Sequence, residues 1–225
     1  MTWSPPSVGP VWFLSDLHGA SPSAYLPRVL PQEVQAVIVV GDVLDGFNTR
    51  QGTEDAWEEL LDHNPGRIWF IRGNHDCDYH SHVWWTPERD LTGRVLQLDA
   101  LWIAGIGWTG TKPFQAPKPA DHRQVCESID LVLSQRPPEM KVVVASHYVP
   151  NLNPWRRKSP GFAEQFPYVG FEEDALNPWI ERWKPSTVVC GHLHEFHGAQ
   201  GSFEGCTVIS SVAPNVAPMR RRSPG

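Results

Sequence analysis

Five short polar segments, most of them closing an apolar, β-branched run, set what this chain can fold into. They are Asp16-Leu17-His18, Gly41-Asp42-Val43-Leu44-Asp45, Gly73-Asn74-His75-Asp76, Ser146-His147 and Gly191-His192-Leu193-His194. Runs such as Ala36–Val40, Lys141–Ala145 and Thr187–Cys190 read as buried strands, being short, β-branched and bounded by turn residues. Stretches with helical character lie between them, and rough alternation of strand and helix points to a layered α/β fold. Oxygen and imidazole ligands at successive strand ends can then gather on one edge of a sheet.

The remaining elements follow from local signals. Val11–Ser15 and Arg67–Ile71 read as strands, and Arg94–Leu98 with Leu101–Ile106 as a strand pair turning near Asp99-Ala100. Ser21–Leu30 reads as a short helix with Ser21 as cap and Pro22 at its first position. Thr53–His63 has Ala56, Trp57, Leu60 and Leu61 on one helical face. Asp121–Ser134 is a helix stopped by Pro137-Pro138. A proline-broken loop from Tyr148 to Gly170 precedes a helix over Phe171–Trp183 with Pro178 interrupting it, and Thr207–Ser211 is a last strand. The expected architecture is two packed mixed β-sheets with helices outside, an α-β-β-α sandwich over a single domain of residues 1–225, with 1–10 and 215–225 as loose tails.

Composition narrows the function. The formal net charge is −6, which argues against a general nucleic-acid coat protein. It is compatible with a phosphate substrate, because bound cations reverse the local field. No apolar run is long enough to span a bilayer, so no membrane role and a cytoplasmic location are expected. Cys77, Cys126, Cys190 and Cys206 form no C-x-x-C pair and read as buried free thiols.

The polar segments read as metal chemistry. Asp16 and His18 are two residues apart and would share one face of an extended strand. A carboxylate such as Asp42 has two oxygens and can bridge two cations. Asn74 offers a neutral oxygen, and His147, His192 and His194 offer imidazoles. His192 and His194 could serve one site or straddle two. Such a mixed oxygen and nitrogen set holds divalent cations, and a cation pair suits the hydrolysis of phosphate esters.

In this order the five segments resemble the calcineurin-like metallophosphoesterase superfamily, and the matched motifs span residues 16 to 194. The resemblance implies that Asp16, His18 and His194 hold a first metal, that Asp42 bridges, and that Asn74, His147 and His192 complete a second site. It implies two divalent ions, manganese foremost, with iron or zinc compatible. The implied reaction is hydrolysis of a soluble phosphodiester or phosphomonoester by a hydroxide bridging the two cations. His75 is the implied partner of the leaving oxygen, and Asp45 the carboxylate that orients it. Gly46 after Asp45 and Asp76 after His75 depart from the phosphoprotein phosphatase branch. A nuclease resembling the Mre11 and SbcD type is the alternative, with nucleic acid as a substrate. A scaffold that keeps the fold without hydrolysis is the other.

Outside the motifs, Trp155-Arg156-Arg157-Lys158 is the candidate substrate contact, since arginine pairs well with phosphate. Asp76 is expected to hold local backbone. His80 and His82 are assigned to a surface loop. Trp12, Trp69 and Trp102 are assigned to the core, and Trp84-Trp85 and Trp108 to filling space before stacking on a substrate ring. Arg220-Arg221-Arg222 reads as part of a disordered end.

Overall fold

The computed structural model describes residues 6–44, 53–76, 81–99, 101–107, 119–150, 172–173, 176–192, 194, 198–203, 205–211 and 213. Two mixed sheets lie face to face. The first has strand order β1 (Ser7–Val8), β2 (Val11–Leu14), β3 (Ala36–Val40) and β4 (Ile68–Ile71). In it β2, β3 and β4 are parallel and β1 is antiparallel to β2. The second holds β5 (Val95–Leu98), β6 (Leu101–Ile106), β7 (Lys141–Ser146), β10 (Thr187–Cys190), β11 (Gln200–Phe203) and β12 (Cys206–Ser210). Its order is β11-β12-β10-β7-β6-β5, with β6, β7, β10 and β12 parallel. A two-residue pair joins β8 (Val149–Pro150) to β9 (Glu172–Glu173).

The period of two along each strand sorts side chains into layers. Ala36, Ile38 and Val40 of β3 meet Val143 and Ala145 of β7 and Val189 of β10 between the sheets. Val37 and Val39 point the other way, onto Trp57, Leu60 and Leu61 of helix α1 (Thr53–His63). On the far face of the second sheet, Val142, Val144 and Val188 pack with Ile129 and Leu133 of α2 (Pro119–Leu133) and with Trp179 and Ile180 of α3 (Leu176–Trp183). Asp130 of α2 ties α3 down, accepting from Trp179 Nε1 at 2.7 Å and from Arg182 at 2.6 Å. The result is the expected four-layer sandwich, and Cys126, Cys190 and Cys206 are free and buried within it.

Several elements differ from expectation. Ser21–Leu30 forms only a 3-10 turn over Pro22–Ala24. Pro27 has no N–H to continue a helix and disfavours helical backbone at Leu26, and Ser21 Oγ bonds Ser23 Oγ instead of capping. The buried Asn64 side chain then holds this segment, accepting from Leu30 N and donating to Arg28 O. The third helix starts at Leu176, so Pro178 sits in its first turn, where a missing N–H costs little, and Glu172–Glu173 pairs as strand. Ser7–Val8, placed in a loose tail, is held as a strand on β2. Strand β11 was not foreseen. Residues 215–225 lie outside the described residues.

Candidate metal centre

Parallel strands deliver their ends to one edge. β2 leads to Asp16, β3 to Asp42, β4 to Asn74, β7 to His147 and β10 to His192. The two sheets are stitched there, with Ser15 N donating to Ser211 O at 2.9 Å.

At this edge the backbone turns into the left-handed region. Asp16 (φ 59°), His18 (46°), Asp42 (52°) and His192 (68°) all adopt it, and Lys184 is the other non-glycine case among the described residues. Such backbone costs about 1–2 kcal/mol per residue, so neighbouring structure must impose it. Asp16 and His18 are therefore not extended neighbours on one strand face, as their spacing suggested. They occupy a turn that zips along the next one, with Asp16 N, His18 N and Gly19 N donating to the carbonyls of Gly41, Asp42 and Val43 at 2.8–2.9 Å.

A second brace joins the Asp42 and Asn74 turns. Asp76, fully buried, accepts from Asp42 N at 2.8 Å, Leu44 N at 2.9 Å and Gly73 N at 2.7 Å. Asp42 Oδ1 returns the contact by accepting from His75 N at 2.8 Å. The turns approach so closely that a Cβ on Gly41 would collide with His147 Nδ1, and one on Gly73 with Asp42 Oδ1.

The donor atoms then fall into overlapping groups. Asp16, His18 and His194 form one, with His194 Nε2 3.1 Å from Asp16 Oδ1 and 3.0 Å from His18 Nε2. Asp42, His147 and His192 form another, with His147 Nε2 3.4 Å from Asp42 Oδ2 and 3.0 Å from Asn74 Oδ1. Asp42 Oδ2 lies between them, 3.8 Å from His18 Nε2. It is 3.9 Å from Nε2 of His75, whose buried ring stands edge-on to His18 at 4.6 Å. His192 and His194 thus straddle the two groups.

Electrostatics separate the groups. Burial opposes charge on Asp42, yet the rings of His147, His75 and His18 hold its carboxyl well below the usual range. Asp16 is also lowered, burial being outweighed by the His194 hydrogen bond and its neighbours. Burial pushes His18 down, and burial together with His147 pushes His192 down to about 4. His147 goes the other way: burial is overcome by the Asp42 carboxylate, which raises it to about 9. Burial and Asp42 push Asp76 up to about 7, against the pull of its backbone donors.

The donor chemistry fits divalent cations. His147 Nδ1 is 3.0 Å from Val40 O, so that nitrogen carries a proton and Nε2 faces the metal centre. Nε2 there meets the oxygens of Asn74 and Asp42, and His194 Nε2 meets His18 Nε2 and Asp16 Oδ1. Lone pairs crowded in this way repel unless a proton or a cation lies among them.

Asp45, Arg156 and Arg157 lie outside the described residues, as do Cys77, His80, Trp108 and the 220–222 arginines. His82 corrects the surface-loop assignment: it is buried and paired with Glu54 of α1 at 2.7 Å. The signal was the neighbouring Trp84-Trp85 pair, whose burial draws His82 inward. Trp84 stacks on Trp57 at 5.2 Å and Trp85 packs on Phe70 at 4.8 Å. Trp102 is buried, and Trp12 and Trp69 pack half-buried against the core.

The chain is similar to known proteins. A family described as calcineurin-like phosphoesterase matches residues 9–196. An uncharacterized protein of Haemophilus influenzae is 33% identical over 102 residues, covering 43% of this chain and 41% of that relative. Phosphopantetheinyl hydrolase from Mycobacterium tuberculosis has the same fold, with a TM-score of 0.58 at 17% identity over 97% of this chain and 100% of its own. TT1561 of Thermus thermophilus also has a TM-score of 0.58, at 10% identity over 89% of this chain and 87% of its own.

Proposed function

The chain belongs to the calcineurin-like phosphoesterase family, and we propose that it hydrolyses a small, soluble phosphodiester or phosphomonoester with two divalent cations, most simply manganese, in the cytoplasm. One observation carries the reading: two donor groups, Asp16/His18/His194 and Asp42/His147/His192, adjoin through Asp42. In this reading Asp16, His18 and His194 hold one cation, Asn74, His147 and His192 the other, and Asp42 serves both. A bound cation pair would supply Lewis-acid polarisation of the phosphoryl oxygens and of an attacking water.

The protein's own groups do the rest. His147 donates Nδ1–H to Val40 O, which turns Nε2 to the substrate edge. Asp42 spends Oδ1 on His75 N and keeps Oδ2 for the shared position. The same bond aims the His75 backbone, so its imidazole reaches the centre beside Asp42 Oδ2 and can hand a proton to the leaving oxygen. Asp45 is assigned to orient His75, and Arg156 and Arg157 to pair with the phosphoryl group.

The test uses metal-stripped protein given Mn²⁺ with bis-p-nitrophenyl phosphate and p-nitrophenyl phosphate, and Asp42→Asn as control. Manganese-dependent turnover that disappears in Asp42→Asn supports the reading, and the ratio of the two rates assigns diesterase or monoesterase preference. Absence of both bound metal and turnover in the wild type sinks it.

A further inference from the structure

His82 is a buried histidine away from the candidate ligands, and Glu54 Oε1 lies 2.7 Å from its Nδ1. That is closer than the imidazole–carboxylate contacts within the centre, which run from 3.1 to 3.9 Å. A carboxylate oxygen only accepts, so Nδ1 carries the proton and the tautomer is set. Such a pair adds little net stability, because solvent around the half-exposed Glu54 screens the attraction. Packing already anchors the segment: Trp84 stacks on Trp57 of α1 and Trp85 on Phe70 of β4, while Val83 between them and His82 is 74% exposed. What the polar pair adds is orientation.

Its position says what is oriented. α1 starts at the metal edge, where Thr53 Oγ1 donates to Gly19 O, the residue after His18. Glu54 is the next residue of that helix. The pair therefore joins His82, six positions after the Asn74–Asp76 turn in sequence, to the helix whose first residue bonds the chain just after His18. We infer that Glu54 and His82 are a positioning pair that shapes the substrate-facing rim of the metal edge and acts on ester binding; this rests on the phosphoesterase reading.

The experiment compares Glu54→Ala, Glu54→Gln and His82→Phe with wild type. Manganese content, kcat and KM for both nitrophenyl esters, and amide exchange of residues 81–85 are measured. For Glu54→Ala and His82→Phe the expected result is a KM raised about fivefold to twentyfold with kcat within about twofold and manganese content unchanged. Glu54→Gln, which keeps the acceptor, recovers most of the KM. Exchange at 81–85 quickens by about tenfold in Glu54→Ala. Unchanged KM, lost manganese or no recovery in Glu54→Gln overturns the inference. Glu54 is half-exposed, so its variants remain informative if His82→Phe fails to fold. A wild type with neither manganese nor turnover defeats the phosphoesterase reading alone; the pair is then judged by exchange, and unchanged exchange overturns it.

Discussion

The two ends of the candidate metal centre use the same residue types and are built differently. The inner end, Asp42 with Asn74, His147 and His192, is built on a fully buried ring: His147 is pinned across the sheets to Val40. In the outer end, Asp16 with His18 and His194, the His194 ring meets His18 and Asp16 instead; each end keeps one half-buried imidazole, His194 here and His192 there. Burial beside an anion pushes His147 up to about 9, while burial away from such close compensation pushes His18 down. The lesson is that one ligand chemistry yields two binding behaviours. A cation at the inner end would have to displace the His147 proton, whereas the His18 and His192 rings are held neutral.

The largest effect expected is from Asp42→Asn, the residue common to both ends. Turnover should fall by about a thousandfold or more, with manganese lost from both positions. Asp16→Asn should empty the outer position alone. Metal analysis showing one cation still bound in Asp42→Asn would break the idea of a shared ligand.

Asp76→Asn comes next. It places an amide N–H among three backbone donors and loosens the turn that carries Asp42. Inner-end affinity should drop by about tenfold to a hundredfold, as for other supporting groups. Titration with Mn²⁺ should show a smaller loss at the outer end, which shares Asp42 but not Asn74; equal loss at both ends would contradict the separation.

The pH dependence is smaller and has a definite sign. A proton on His147 Nε2 competes with a cation, so inner-end affinity weakens as pH falls through and below about 9. The limiting slope is about tenfold per unit for one proton released. Calorimetry in buffers of different ionisation enthalpy should find that proton at the inner end and none from His18. A pH-independent inner end would refute the assignment.

Lys184 gives the smallest effect and sharpens the meaning of strain. Its left-handed backbone (φ 44°) sits at the exposed end of α3, where Lys184 N closes on Ile180 O. Lys184→Gly should stabilise the fold by about 0.5–1 kcal/mol, seen as a raised melting temperature with activity unchanged. The same relief at His192 should cost cation binding, because there the unusual backbone aims a ligand.

Much was legible in advance because it is local. The continuous apolar, β-branched runs Ala36–Val40 and Lys141–Ala145 declare buried strands without knowledge of partners, and Thr53–His63 shows its apolar face directly. The order of carboxylate, amide and imidazole donors declares cation chemistry in the same way. Tertiary structure decided what local patterns cannot carry. The pairing of His194 with Asp16 and of His147 with Val40 joins residues 178 and 107 positions apart. The left-handed backbone at Asp16, His18, Asp42 and His192 exists because neighbouring turns impose it, against each residue's own preference. His82 reads as a loop residue until Trp84, Trp57 and Glu54 surround it. Which donors occur, and in what order, is a property of the chain; which of them meet depends on packing between distant elements.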